Sequence, residues 1–360
     1  MKRIYLFYFA MICTGILLTS CGKDDEPDTN AAWKEAVGVY KAGGDLKLTM
    51  NGIDQPVGGL KEATIATGTG ESAKIRLTNI VPEAATIEID NVVMVKEGDD
   101  KFTFTGETTG DYTTVTVKGS LTGVKEKAKT LDLNVTRKVI SPLTGVWKLA
   151  PASNALTSVG MVYINAKTAD QASDAIFNSV VPGVIGGMLA QKVTDVTVTL
   201  GEDGLFDVNW TETGASTPTG MPDFVKQLVS IQYFVSDNKL YLALDKSVLP
   251  LLSAIPLPEG ININALIGAL AEDKGGFIAL PVSWKNRSNI LESLRDTSVG
   301  GDVNSAIFYV GKEMLKAILP MLMPSIAGGL PPEMLPLIQG LPEIVAGAET
   351  FDVGLGFERK

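Results

Sequence analysis

The chain has 360 residues, with 31 basic and 41 acidic side chains, two cysteines and no histidine. The lack of histidine excludes a Ser-His-Asp triad, a Cys-His dyad and imidazole ligands for a metal ion. The formal net charge of −10 argues against nucleic acid as a partner and against docking on anionic lipid through a basic face.

The first twenty residues have the pattern of a secretory signal peptide. Two basic residues precede an almost unbroken apolar run over 4–18. This run is shorter than a typical transmembrane helix. The run ends in Leu-Thr-Ser before Cys21 and resembles the bacterial lipobox, in which the cysteine becomes the lipidated first residue. The resemblance implies a signal peptide over 1–20 and acyl chains, such as palmitate, on Cys21 as a stable lipid anchor. The alternative is an ordinary secretory peptide that leaves a free cysteine.

Residues 21–36 form the next segment, an acidic tether. Its charged run over 22–28, GKDDEPD, is typical of a short, extended linker. The run also resembles the acidic export signal of Bacteroidetes-type lipoproteins. That resemblance implies an outer-membrane lipoprotein exposed at the cell surface, with a plain linker and the periplasmic face of the membrane as the alternative.

Residues 37–140 read as β-structure throughout. Segments such as 45–50, 73–77 and 130–137 alternate polar and apolar residues, and Asn51-Gly52 supplies a favoured hairpin turn. About eight short strands without a helical period predict an antiparallel barrel or sandwich, since closure removes exposed edges.

The pattern changes after 140, and residues 141–360 predict an α+β domain. Strand-like runs form its sheet, while Leu-, Pro- and Met-rich stretches predict inserted apolar helices. One helix is expected behind Asp302 as N-cap, running over 303–318 to a stop at Pro320, and a weaker one before Pro182. The whole chain is therefore predicted to be mainly β with an α+β C-terminal half.

Each β-rich half opens with a Gly-x-aromatic motif and ends with an arginine. The motifs place Tyr40 and Trp147 near the two starts, and Arg137 and Arg359 near the two ends. This arrangement resembles the calycin, or lipocalin-like, group, whose first strand carries Gly-x-Trp and whose last strand carries an arginine that stacks on that aromatic. The resemblance implies that Tyr40 with Arg137, and Trp147 with Arg359, close two barrels by cation–π contact. Tyr40 departs from the pattern, which has Trp.

The chain resembles two-domain surface lipoproteins of unknown function from gut Bacteroidetes. The resemblance is carried by the tether, by the run of strands over 38–137 and by the strand-like segment over 143–149 that opens the second half. Members of that family carry a calycin-like β-barrel as their N-terminal domain. The resemblance covers most of the chain after Cys21 and implies no activity.

Three functional hypotheses follow. The first is a non-catalytic binding module for an apolar small molecule, with the apolar stretches lining a pocket or forming core. The second is a surface protein that binds a glycan or a partner protein, with Trp284 as the stacking residue. The third is a hydrolase that acts through two carboxylates. No Gly-x-Ser-x-Gly, P-loop or Cys-x-x-Cys motif is present, so the sequence assigns no catalytic residue, cofactor or metal ligand.

Overall fold

The structure is a computed structural model that describes residues 32–55, 60–69, 71–98, 100–124, 129–151, 160–220, 231–252, 263–286, 303–328 and 339–360. Within these residues the chain is mainly β and forms two sheets. The first sheet ends at Val139 and the second begins at Gly145. The predicted mainly β class is therefore confirmed, and the predicted division near residue 141 falls in the connection between the sheets.

The first sheet has nine strands among the described residues, in the order β1-β4-β5-β6-β7-β8-β9-β2-β3. The strands are β1 (Gly38–Lys41), β2 (Leu46–Met50), β3 (Ile53–Asp54), β4 (Glu62–Thr67), β5 (Ala73–Thr78), β6 (Thr86–Lys96), β7 (Lys101–Thr109), β8 (Thr113–Thr122) and β9 (Thr130–Val139). Strands β2 and β9 pair in parallel. Because β1 and β2 stand near opposite ends of this order yet are joined through residues 42–45, the sheet curls back on itself.

Alternating side chains fill the concave side of this first sheet. In β9, Leu131, Leu133 and Val135 are buried while the residues between them are exposed, which is the period of two expected of a half-buried strand. Packing is so close that a Cβ atom at Gly119 would approach the Phe104 ring to 2.0 Å. The interior of the first sheet is therefore occupied by its own side chains.

The second sheet has eleven strands among the described residues. They are β10 (Gly145–Leu149), β11 (Val162–Lys167), β12 (Val193–Leu200), β13 (Phe206–Glu212), β14 (Thr219–Gly220), β15 (Gln232–Ser236), β16 (Lys239–Asp245), β17 (Glu272–Lys274), β18 (Phe277–Asn286), β19 (Ser305–Val310) and β20 (Thr350–Arg359). The order is β14-β13-β12-β10-β20-β19-β18-β16-β15, with β11 added on β20 and β17 on β18.

This second sheet is also curled. The Phe206 amide of β13 donates to the Ile231 carbonyl at 2.9 Å, and Leu205 bridges to Gln232 of β15, so strands from the two ends of the order meet. Side chains from eight of the strands gather into one cluster on the concave side. We call this side of the second sheet its inner face.

The described α-helices belong to the second half of the chain. They are α1 (Gln171–Lys192), α2 (Leu249–Leu252), α3 (Ile263–Leu270), α4 (Lys312–Gly328) and α5 (Leu341–Gly347). Phe177 of α1, Leu315 of α4 and Val345 of α5 pack with Phe351 of β20. Three helices thus cover one part of the inner face.

The predicted helix over 303–318 is wrong in its first half, and the helix runs past the predicted stop at Pro320 to Gly328. Ser305–Val310 is strand β19, paired on both sides with β18 and β20, and the helix begins at Lys312. Isoleucine, phenylalanine, tyrosine and valine fit a central strand better than a helix. The proposed cap, Asp302, lies outside the described residues.

Helix α1 extends beyond the weaker helix predicted before Pro182 and includes that proline. Proline occupies the first turn of the segment Val181–Lys192, after a π-helical stretch over Ile176–Val180, and a first turn tolerates the missing amide. By length and composition α1 would suit a membrane span, although it packs on the sheet through Phe177 and Val181.

Candidate ligand-binding sites

Trp147 and Arg359 meet at the start of the second sheet. Strand pairing places the two residues directly opposite each other, and the guanidinium carbon lies 4.8 Å from the indole ring centre, within cation–π range. The same guanidinium donates to the carbonyls of Val303 at 2.8 Å and Thr144 at 3.2 Å, and to that of Pro142. Arg359 therefore joins two loop segments, the one over 142–144 and the one at Val303, to a wholly buried tryptophan.

Tyr40 and Arg137 are not brought together. The Tyr40 hydroxyl donates to the Ala36 carbonyl at 2.7 Å inside the first sheet. Arg137 is 1% exposed and turns toward the second sheet, where Nη2 lies 2.9 Å from Glu83 Oε2 and donates to the Tyr233 carbonyl at 2.8 Å. Strand β9 ends at the junction of the sheets, two residues after Arg137, so this buried arginine contacts the second sheet rather than stacking on Tyr40.

Further polar contacts hold the two sheets together. The Asn51 side chain accepts from the Arg137 amide at 2.8 Å and donates to the Asp203 carbonyl at 2.7 Å. Lys61 forms a buried ion pair with Asp245. Gly204 has a φ of +79°, and a Cβ atom there would come within 1.8 Å of the Arg137 guanidinium. Glycine is thus required at this turn both by its conformation and by the arginine beside it.

Two buried tyrosines stay neutral far into alkaline pH. Burial raises the pKa of Tyr233 to about 12, although its hydrogen bond with Thr144 works in the opposite direction. Burial, followed by the negative charge of Asp45, raises the pKa of Tyr40 to about 12. Both side chains support the structure through hydroxyl-to-carbonyl hydrogen bonds.

A row of apolar side chains crosses the centre of the inner face. Leu355 of β20 lies directly opposite Val162 of β11 and Phe308 of β19. Phe308 in turn lies directly opposite Trp284 of β18. Residues opposed in antiparallel strands share one face of the sheet, so the four side chains form one continuous strip.

The inner-face side chains of β20 differ in their exposed fraction, whereas a completely packed face would bury all of them. On the inner face Phe351 is 2% exposed, Leu355 is 38% exposed and Phe357 is 5% exposed. Strand β20 is central, with neighbours on both sides, so Leu355 is not exposed as an edge residue. Its neighbours Val162 and Phe308 are also only partly buried. We call this apolar part of the inner face, which the described residues leave partly uncovered, the Leu355 gap.

Trp284 lies on the inner face and is 9% exposed. Trp284 was predicted as a surface residue for glycan stacking, and its burial is inconsistent with that role. It sits in a central strand, between β16 and β19, where an aromatic side chain packs against cross-strand neighbours.

Three residues of these sites were not predicted from the sequence: Leu355, Glu83 and Lys61. Leu355 belongs to an ordinary strand pattern, and only pairing across three strands reveals that it lies uncovered. Cys21 lies outside the described residues. Within the part of the chain that the structure describes, no group of three or more acidic or cysteine side chains could hold a metal ion.

Comparisons with protein-family models, curated proteins and solved structures find no match for this chain.

Proposed function

We propose that this protein is an outer-membrane lipoprotein, exposed at the cell surface, that acts as a non-catalytic binding module for an apolar small molecule. The ligand occupies the Leu355 gap on the inner face of the second sheet. The observation that carries the proposal is the 38% exposure of Leu355 between two packed apolar clusters. Leaving such a surface uncovered is unfavourable by about 25 cal/mol for each Å², and an apolar ligand would relieve that penalty.

The surroundings of the gap support an apolar ligand. Val162, Phe308 and Trp284 share the strip with Leu355, and small-molecule sites are mostly lined by aliphatic and aromatic side chains. Helix α1 carries three exposed apolar residues spaced four apart, Ile176, Val180 and Val184, which adds apolar surface outside the strip.

A calycin-like architecture is part of the proposal. The Arg359–Trp147 contact at 4.8 Å supports it for the second sheet. The first sheet lacks the equivalent contact and has a filled interior, so the ligand is assigned to the second. A surface glycan-binding role for Trp284 is not retained, because the side chain is buried.

Filling the gap tests the proposed function. Leu355→Trp adds volume where the structure has space, so we expect unfolding free energy to change by less than about 1.5 kcal/mol, whereas overpacking a filled core costs about 1–3 kcal/mol or more. Native mass spectrometry of the detergent-purified lipoprotein should show an apolar molecule bound to the unmodified chain and lost in Leu355→Trp. Leu60→Trp, at a position 81% exposed in the first half, is the matched control and should retain the ligand. An unmodified chain without any bound or acquired apolar molecule would refute the proposal.

The membrane anchor has a separate test. Cys21→Ala removes the only thiol in the chain after 1–20, so no lipid could be attached through sulfur. We expect complete loss of radiolabelled palmitate and release of the protein from the membrane fraction. Cys13→Ala, within the expected signal peptide, should change neither. Continued palmitate incorporation by Cys21→Ala would contradict the anchor.

A further inference from the structure

A cleft of about 490 Å³ opens between the two sheets, away from the Leu355 gap. Its lining is Glu83, Ala84, Ile87, Glu88, Thr108, Thr109, Gly110, Asp111, Tyr112, Thr113 and Val115 from the first half, and Val235, Ser236 and Asp237 from the second. The volume lies within the range of small-molecule sites, which are frequent between domains.

The two walls of this interdomain cleft are held by one buried side chain. Arg137 pairs with Glu83, which lines the first wall, and with the Tyr233 carbonyl, two residues before Val235 in the second wall. An arginine that is 1% exposed and reaches both walls fixes their separation. A cleft fixed before binding avoids the entropic penalty of closing around a ligand.

The lining combines hydroxyl groups with carboxylates. Hydroxyls come from Thr108, Thr109, Tyr112, Thr113 and Ser236, and no lysine or arginine is among the described residues of the lining. Glu88 is paired with Lys74 and Arg76 outside the cleft, and Glu83 is paired with Arg137. Within the described part of the chain, Asp111 and Asp237 form no ion pair, and one lies on each wall. The Asp237 carboxylate accepts from the Ser236 hydroxyl at 3.2 Å.

These groups select against several ligand classes. Carboxylates on both walls repel phosphate, sulfate and other anions, and the polar lining gives a hydrocarbon little to bind. Carboxylates accept hydrogen bonds, and threonine hydroxyls both donate and accept, which complements a ligand rich in hydroxyl groups. The Tyr112 side chain, 40% exposed, offers a ring for an apolar sugar face. We propose that the interdomain cleft binds a neutral saccharide.

The proposal is tested with the full lipoprotein in detergent micelles on an array of neutral, sulfated and sialylated oligosaccharides. We expect binding to neutral oligosaccharides, and weaker or no binding to their anionic counterparts. In calorimetric titrations with the best neutral oligosaccharide, Asp111→Ala and Tyr112→Ala should each weaken binding about tenfold, as expected for loss of a charge-assisted hydrogen bond or an aromatic contact. Both side chains are exposed, so neither change should impair folding.

Two controls locate the binding in the cleft. Asp54→Ala removes an exposed acid elsewhere in the first half and should leave affinity unchanged, as should Leu355→Trp. Leu355→Trp affects only the gap. Loss of the apolar ligand in this variant would therefore not count against the saccharide site, and failure of saccharide binding would not count against the apolar ligand. The saccharide proposal is overturned if no neutral oligosaccharide binds, if only the anionic oligosaccharides bind, or if Asp111→Ala and Tyr112→Ala bind like the unmodified chain.

Discussion

Replacement of Arg137 by methionine is expected to lower the free energy of unfolding by about 3–5 kcal/mol, the range found when one member of a buried ion pair is removed. Glu83 would keep its negative charge in a largely buried position, with a side chain only 18% exposed, and would lose its cation. The Tyr233 carbonyl would lose a donor at the same time. Methionine fills much of the vacated volume, so the expected loss is mainly electrostatic.

Chemical denaturation followed by tryptophan fluorescence measures this effect. Lys138→Met is the matched control, because the neighbouring lysine makes an exposed ion pair with Glu202 at 3.8 Å, and exposed pairs contribute about 0–1 kcal/mol. The double variant Arg137→Met with Glu83→Gln should recover part of the loss, since it removes the unpaired charge. Equal stability of Arg137→Met and Lys138→Met would contradict the assigned role.

Arg137 also decides whether the two halves unfold together. In the unmodified chain the buried contacts across the junction, including Asn51 with Asp203, favour a single cooperative transition. Weakening the junction is expected to separate the transition into two, one for each sheet. Because Arg137 also holds both walls of the interdomain cleft, Arg137→Met should lose saccharide binding even in conditions where both sheets remain folded.

The strands could be predicted from sequence because their pattern is local. Alternation over 130–137 gives the buried and exposed sides of β9, and Asn51-Gly52 adopts positive φ at both residues in the turn between β2 and β3. Such signals need no knowledge of distant residues. The second half was predictable for the same reason wherever its strands alternate or are bounded by turns, as at Asp237-Asn238.

Prediction failed where two periods fit the same residues. A helix would place Ala306, Ile307 and Val310 on one side. A strand places Phe308 and Val310 on one face of the sheet and Ile307 and Tyr309 on the other. The pairing of β19 between β18 and β20 decides between the two, and pairing is a long-range property. Tertiary contact therefore overrode a plausible local helix.

The candidate sites likewise divide into those that local sequence motifs predict and those that depend on distant contacts. The Trp147–Arg359 contact was accessible from two short motifs at the ends of one sheet. The Leu355 gap depends on which side chains happen not to cover a central strand, and the interdomain cleft depends on the relative placement of two sheets. No local pattern encodes either, so both emerge only from the assembled structure.

Replacement of Lys61 by methionine is expected to lower the free energy of unfolding by about 3 kcal/mol, the lower end of the range for breaking a buried pair. Lys61 is wholly buried and pairs with Asp245 across the junction. The effect is at the lower end because Asp245 retains other partners: its carboxylate accepts from the Ser247 amide at 2.9 Å and hydroxyl at 2.6 Å. Asp245 thus caps the short helical turn Lys246–Val248 while it balances the lysine.

A double variant separates these two roles of Asp245. Serine is as good an N-cap as aspartate, so Lys61→Met with Asp245→Ser removes both charges and keeps the cap. In equilibrium denaturation this double variant should be more stable than Lys61→Met, because no buried carboxylate is left without its cation. Lys246→Met, which breaks only a pair with the exposed Asp273, should cost less than about 1 kcal/mol. If the double variant were less stable than Lys61→Met, the Asp245 carboxylate would stabilise the turn by more than its unpaired charge costs, which would contradict the expectation that the buried charge needs Lys61 as its balance.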